Sequence, residues 1–348
     1  MMPEEWPVAV PAAQGSAAPR SMTRDRLTTV RRDFFLDPAK RLTEQERALM
    51  SAMLHGLVGE IADDLRAALP KGWAAANDGD NQKLFDLLAA AGLLDDEQLI
   101  AHLLRRADEE RIATLARSRT DRREARVLQG LISDENGAVA AAAMALVMGR
   151  GRRRDRMGQC LVTIDDLPQG AAERVVYAIA AALRSDMSSV RGSAASDGAL
   201  ARASAEALNR RDPARGLDSL VSNLVGMFDS TGLMSDEFLL DAASEGEVTF
   251  VAHALARRAG IDADTAIDEL VSGAMLRAMG LLRMAGASRQ FAASLLATAG
   301  DFIGLVDPGG AIEAFDKMTA VEIEAIRAWL HADARYRKAA NTLGGRRG

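Results

Sequence analysis

Four histidines, one cysteine and a run of arginines are the side chains of this sequence with most chemistry to offer. His55, His102, His253 and His331 are widely separated. None lies three or four residues from another, the spacing that would place two imidazoles on one helix face for a metal ion. His253 follows Val251 on an apolar helix and reads as a satisfied, partly buried histidine. His55 is the candidate signalling histidine, because it sits on a long helix followed by another, the skeleton of a histidine-phosphotransfer bundle. Phosphorylation there needs an exposed imidazole with an acidic or polar helper. The residues that follow are Gly56-Leu57-Val58, and no Gly-rich nucleotide-binding segment comes after them. An ordinary helix-face histidine is the simpler reading.

Arg150, Arg152, Arg153, Arg154 and Arg156 form the sharpest charge cluster. Guanidinium groups offer planar donor forks, so five of them in one loop are a candidate contact for an anion or an acidic partner. No aromatic residue interleaves with them, which leaves single-strand stacking without a platform. A solvated linker, an acidic protein surface and nucleic acid are the three readings, in that order. Cys160 has no histidine nearby in sequence, and a free cysteine usually acts as a small core residue. Asp95, Asp96, Glu97, Asp236 and Glu237 stand at expected helix starts, where they complement the helix dipole. The sequence has no Walker loop, no Gly-x-Gly-x-x-Gly after a strand, no Gly-x-Ser-x-Gly elbow and no His-Glu-x-x-His. These features predict a protein that is not an enzyme and carries no catalytic, cofactor-binding or metal-binding residues.

The elements that would position these residues are helices. Gly92-Leu93-Leu94-Asp95-Asp96-Glu97-Gln98-Leu99 returns 140 residues later as Gly232-Leu233-Met234-Ser235-Asp236-Glu237-Phe238-Leu239, with five of the eight positions identical. Without a gap, Leu115-Ala116-Arg117 then meets Leu255-Ala256-Arg257. A second correspondence, at an offset of 126, sets Leu49, Met50, Met53, Leu54 and Leu57 against Val175, Val176, Ile179, Ala180 and Leu183. Two copies of one helical unit explain this register. Thr43 and Glu46 form a capping-box pattern before the first long helix, which also explains a likeness to the opening of a helix-turn-helix reader. Gly92 is placed to close its helix in a left-handed conformation. Ala138–Met148 is apolar all round and predicts a central buried helix. Gly149–Arg156 is a basic break between halves, and Asp307-Pro308-Gly309-Gly310 predicts a turn.

Arg41-Leu42-Thr43-Glu44-Gln45-Glu46-Arg47-Ala48-Leu49-Met50 and Leu255-Ala256-Arg257-Arg258-Ala259-Gly260 carry a resemblance. The chain resembles the helical, HEAT-like bacterial proteins grouped as domain of unknown function 2336, over roughly Arg31 to Ala340. The resemblance implies a fold and brings no catalytic residues with it.

The bulk properties agree with helices. Over 348 residues, 48% are apolar and only 4% aromatic, with abundant Ala, Leu and Arg. Sheets favour β-branched and aromatic residues, and no segment shows sustained alternation. The fold class expected is all-α, with solenoid-like or bundled helical repeats in two duplicated halves. The divisions expected are a disordered tail at 1–23, helical units at 24–149 and 165–300 around a basic linker at 150–164, terminal helices at 301–340 and a frayed tail at 341–348. The first helix is expected at Arg24–Leu36 and a polar turn at Asn77–Asn81. The longest wholly apolar run has 11 residues, against the roughly 20 of a membrane span. The N-terminus carries acids and prolines where a signal peptide would be basic and apolar. With one cysteine and so no intrachain disulfide, a cytoplasmic setting is expected. The net charge of -6 argues against nucleic acid. The expected role is a non-catalytic scaffold or adaptor for another protein, with homo-oligomers allowed. A bacterial signalling regulator related to phosphotransfer bundles comes second, and a nucleic-acid-associated protein using Arg150–Arg156 third.

Overall fold

The computed structural model describes residues 42–70, 80–119, 127–191, 193–271, 275–300 and 307–344. The expected N-terminal tail, the helix at Arg24–Leu36, most of the polar turn before Asn81 and the last four residues lie outside that set. The chain divides into a unit ending at Glu44, of which only residues 42–44 are described, and a unit from Gln45 to Gly348.

The described residues form sixteen α-helices and no strand. In the first part of the chain these are α1 (Glu44–Ala67), α2 (Asn81–Ala90), α3 (Glu97–Arg119), α4 (Val127–Gly130) and α5 (Gly137–Arg152). Two long helices follow, α6 (Gln169–Arg191) and α7 (Ser193–Arg210). Then come α8 (Leu217–Ser230), α9 (Asp236–Ser244), α10 (Val248–Ala259), α11 (Ala263–Val271), α12 (Met275–Met284) and α13 (Arg289–Ala299). The last three are α14 (Pro308–Lys317), α15 (Ala320–Leu330) and α16 (Ala334–Gly344). The expected all-α class is what the described residues adopt.

The apolar residues collect into two cores. One joins Met53, Leu57 and Leu65 of α1 to Leu88 of α2, to Leu99 and Leu103 of α3, and to Val176 and Ile179 of α6. The other joins Ile112 of α3 to Leu146 of α5, Leu224 of α8, Phe250 of α10 and Phe291 of α13. Fully burying one such side chain stabilises by about 1.5–3 kcal/mol. The cores interleave along the chain, since α6 and α7 follow the basic segment yet pack with α1–α3. Helix α3 belongs to both, its first half to one core and its second half to the other.

The repeated stretch has matching local geometry. Gly92 and Gly232 both follow a helix with positive φ, +69° and +71°. Leu94 and Met234 are buried behind them, and Leu99 and Leu239 are core residues. Asp96 accepts a hydrogen bond from the Leu99 amide at 2.9 Å and one from Arg174. In the second stretch Ser235 caps Phe238, while Asp236 accepts from Arg258 at 2.7 Å. Beyond this point the two diverge. Helix α3 runs unbroken for 23 residues, whereas α9 stops at Ser244 and the chain turns through Gly246 at φ +79° before α10.

Three expectations are revised. Ala138–Met148 is not buried all round: Val139, Ala142, Ala143 and Leu146 face the core, but Ala141, Met144 and Met148 are exposed. A hydrophobic sequence cannot report whether enough neighbours exist to cover every face. Asp307-Pro308-Gly309-Gly310 is a helix start: Asp307 accepts from the Gly310 amide at 2.9 Å, and Pro308 opens α14. Asp at the cap with Pro directly after it outweighs the two glycines. Finally, α5 continues through Arg152, so the basic segment begins inside a helix.

Candidate functional site

The arginine segment lies on a cleft of about 380 Å³, whose charged lining includes Arg106, Glu109, Glu110, Arg150, Arg153 and Glu247. The last turn of α5 supplies Arg150, whose Nη1 donates to Glu247 at 2.7 Å and whose Nη2 donates to the other oxygen of the same carboxylate. Such a two-pronged pair is the favoured geometry for guanidinium and carboxylate. Arg153, only 5% exposed, donates to Asp166 at 2.8 Å and to the carbonyls of Gly149 and Arg215 at 3.0 and 2.9 Å. Arg154 makes a two-pronged pair with Glu110 at 3.0 and 2.6 Å. Arg152 and Arg156 are exposed and make no ion pair among the described residues. The five arginines, read from the sequence first as a solvated linker and otherwise as a contact for an anion or an acidic partner, thus divide: three hold carboxylates of this chain, and two remain at the surface.

Those carboxylates arrive from distant elements. Glu110 sits in the middle of α3, beside Arg105, Arg106 and Glu109. Arg106 is buried and donates to Glu109 at 2.6 Å, with Asp218 of α8 at 2.8 Å. Arg105 pairs with Asp218 and with Asp264 of α11. Asp166 also accepts from the amides of Thr163 and Leu217, both at 2.9 Å. This ion-pair network occupies the seam between the two apolar cores, because α3 crosses from one to the other there. In the sequence, its signal was the run Arg105-Arg106-Ala107-Asp108-Glu109-Glu110-Arg111, which interrupts the apolar spacing of a helix otherwise marked by Leu103, Leu104 and Ile112.

Three carboxylates of this network, Asp218, Glu109 and Asp166, are held in their charged form. Burial works to raise the carboxyl of Asp218, yet Arg106 and Arg105 beside it hold it down to about 2. Glu109 and Asp166 are opposed by burial in the same way and are likewise held below the ordinary carboxylate value, by Arg106 and by Arg153 respectively. Burial and the nearby Glu110 push the Cys160 thiol up to about 11, so near neutral pH it is a thiol and a poor nucleophile. These three carboxylates therefore act as charged partners of the arginines beside them. No cluster of three or more His, Cys, Asp or Glu side chains suited to a metal ion occurs among the described residues.

The histidines belong to no metal-type cluster among the described residues. His55 stacks on Phe85 with ring centroids 3.5 Å apart, so one imidazole face is covered. His102 and His253 are buried, and the Nε2 of each lacks a hydrogen-bond partner. Burial, reinforced by Arg106, drives His102 down to about 4. Its folded value lies below the ordinary unfolded one, so the fold favours the neutral imidazole. Its contribution is present above about pH 6.5 and is lost as pH falls toward about 4, up to about 3 kcal/mol for a shift of this size. Denaturant unfolding of the full chain between pH 7 and 4 is expected to show this loss, and His102→Gln is expected to flatten the slope. An unchanged slope in the variant would assign the acid limb to other groups.

No family model matches the chain, and no curated protein or solved structure matches it either. No helix among the described residues is long and apolar enough to cross a membrane.

Proposed function

We propose that this chain is a non-catalytic helical scaffold or adaptor that binds another protein through the corners of its helix turns. The observation that carries this reading is the exposure of Leu93 and Leu233, 49% and 59%, at the two turns that share the Gly-Leu pattern. Each follows a left-handed glycine and precedes a buried residue, so both leucines stand at the same place in the same local structure. One exposed leucine is ordinary on a protein surface, and what supports the reading is the same exposure at the corresponding position of both turns. Duplication of one helical unit, membership of the domain of unknown function 2336 family and a cytoplasmic setting belong to the same proposal. The resemblance of Arg41–Met50 and Leu255–Gly260 supports the family, and the single cysteine supports the setting.

The test compares the immobilised full chain with its Leu93→Ser/Leu233→Ser variant in capture from native extract, with the retained proteins identified by mass spectrometry. A protein held by the first and recovered about tenfold less by the second, the effect of losing roughly 1.4 kcal/mol, is the expected result. Equal recovery by both would remove the turns from any binding role.

A further inference from the structure

Helix α5 shows one face to its own core and another to solvent. The outward stripe is Gly137, Ala141, Met144, Met148 and Arg152, with Met144 42% and Met148 52% exposed. These positions follow one another at spacings of three and four, so they lie in line along the helix. From Gly137 to Gly149 the helix carries no charge at all, in a chain of which 26% is charged. The exposed residues of α8, which packs alongside α5, are uncharged too, with Ser219, Ser222, Asn223 and Met227 between Asp218 and Asp229.

The charges appear at the ends, and they have opposite signs. Glu135 is exposed just before the Asn136 cap, and Arg152 is exposed in the last turn. Neither makes an ion pair among the described residues, although Arg150, Arg153 and Arg154 around Arg152 all do. An apolar stripe with an acid at one end and a base at the other is complementary to itself when turned around. In a two-fold pairing the same patch meets itself, and each contact occurs twice.

We propose that α5 pairs with α5 of a second copy of this chain, antiparallel and about a two-fold axis near Met144. Placing Ala141 opposite Met148 sets Gly137 opposite Arg152. The Arg152 side chain of each copy then reaches Glu135 of the other. The small residues at 137 and 141 let the two 16-residue helices approach closely, while Met144 and Met148 fill the space between them. A contact built on one helix of about 24 Å falls at the small end of protein interfaces, so the association is weak and concentration-dependent.

The experiment is sedimentation of the full chain from about 1 to 500 µM, a range that covers weak complexes. The mass is expected to rise from one copy toward two. Met144→Glu/Met148→Glu is expected to remain a single copy throughout, with an unchanged circular dichroism spectrum because both side chains are exposed. Arg152→Glu alone is expected to weaken pairing about tenfold, and Arg152→Glu together with Glu135→Arg to restore it. A chain that stays a single copy at the highest concentration overturns the proposal. So does a dimer that survives the paired glutamates or that the single reversal does not weaken. Pairing weakened in Arg152→Glu and not restored by the double reversal also overturns it, because the charge register would then be wrong.

Discussion

Arg153→Ala is expected to cost about 3–5 kcal/mol of stability, the usual loss when one partner of a buried ion pair is removed. The side chain of Asp166 is only 1% exposed, and its partner Arg153 is itself 5% exposed. Without the guanidinium, a carboxylate stays behind between the cores with two backbone amides and the Thr163 hydroxyl as donors. The carbonyls of Gly149 and Arg215 lose a donor as well. The pH dependence distinguishes this from simple loss of packing. Asp166 is held below its ordinary value in the folded chain, so its ionised form stabilises the fold above about pH 4, and that contribution disappears as pH falls through its folded value. The gap between Arg153→Ala and the parent should therefore be widest near pH 7 and shrink on acidification. Urea unfolding at several pH values reads both effects. A loss near pH 7 under 1 kcal/mol would mean that solvent reaches Asp166 and replaces the arginine.

Gly246→Ala is expected to be the most damaging of the glycine substitutions at left-handed turns, at about 2–5 kcal/mol. Two terms add. A left-handed backbone costs any residue with a side chain about 1–2 kcal/mol. A Cβ at Gly246 would also lie 2.8 Å from the Cα of Ala113 and 2.9 Å from the Cβ of Ala116, both on α3. Neither neighbour is a flexible side chain that can swing away, so the α9–α10 turn has to lift off α3, at about 1–3 kcal/mol. Gly92 and Gly232 have the same sign of φ but nothing within 4 Å of such a Cβ. Alanine there should cost the first term alone. Thermal unfolding of the three variants side by side checks this, and equal losses would remove close packing from the account.

The helices and their faces were largely legible in the sequence, and the charge partners were not. Leu99, Leu103 and Ile112 follow helical spacing, and the structure buries all three. Gly92 closes its turn as a left-handed residue because only glycine does so without cost, a purely local matter. Arg150, Arg153 and Arg154 stand out in any reading, but their carboxylates come from Glu247, Asp166 and Glu110, 97, 13 and 44 residues away. No local pattern links such positions. The segment therefore reads as a solvated break, while the folded chain uses most of its charge internally. The same limit applies to α5, whose apolar character predicts burial but cannot say that the neighbours cover only part of its circumference. Leu93 and Leu233 show the converse: the repeat marked their positions, and only the structure reveals that both point outward.

The interleaving of the two cores bears on how the chain is made. Helices α1, α2 and the first half of α3 have their apolar partners in α6 and α7, on the far side of α4 and α5. While the chain emerges from the ribosome, about 90 residues separate the end of α3 from the end of α7. At ordinary rates of synthesis that is a wait of roughly 5–20 s with Leu57, Leu88 and Leu103 lacking part of their cover. During that interval the nascent first half presents an apolar surface of the kind that chaperones cover, and premature release before α7 would leave that surface open to aggregation.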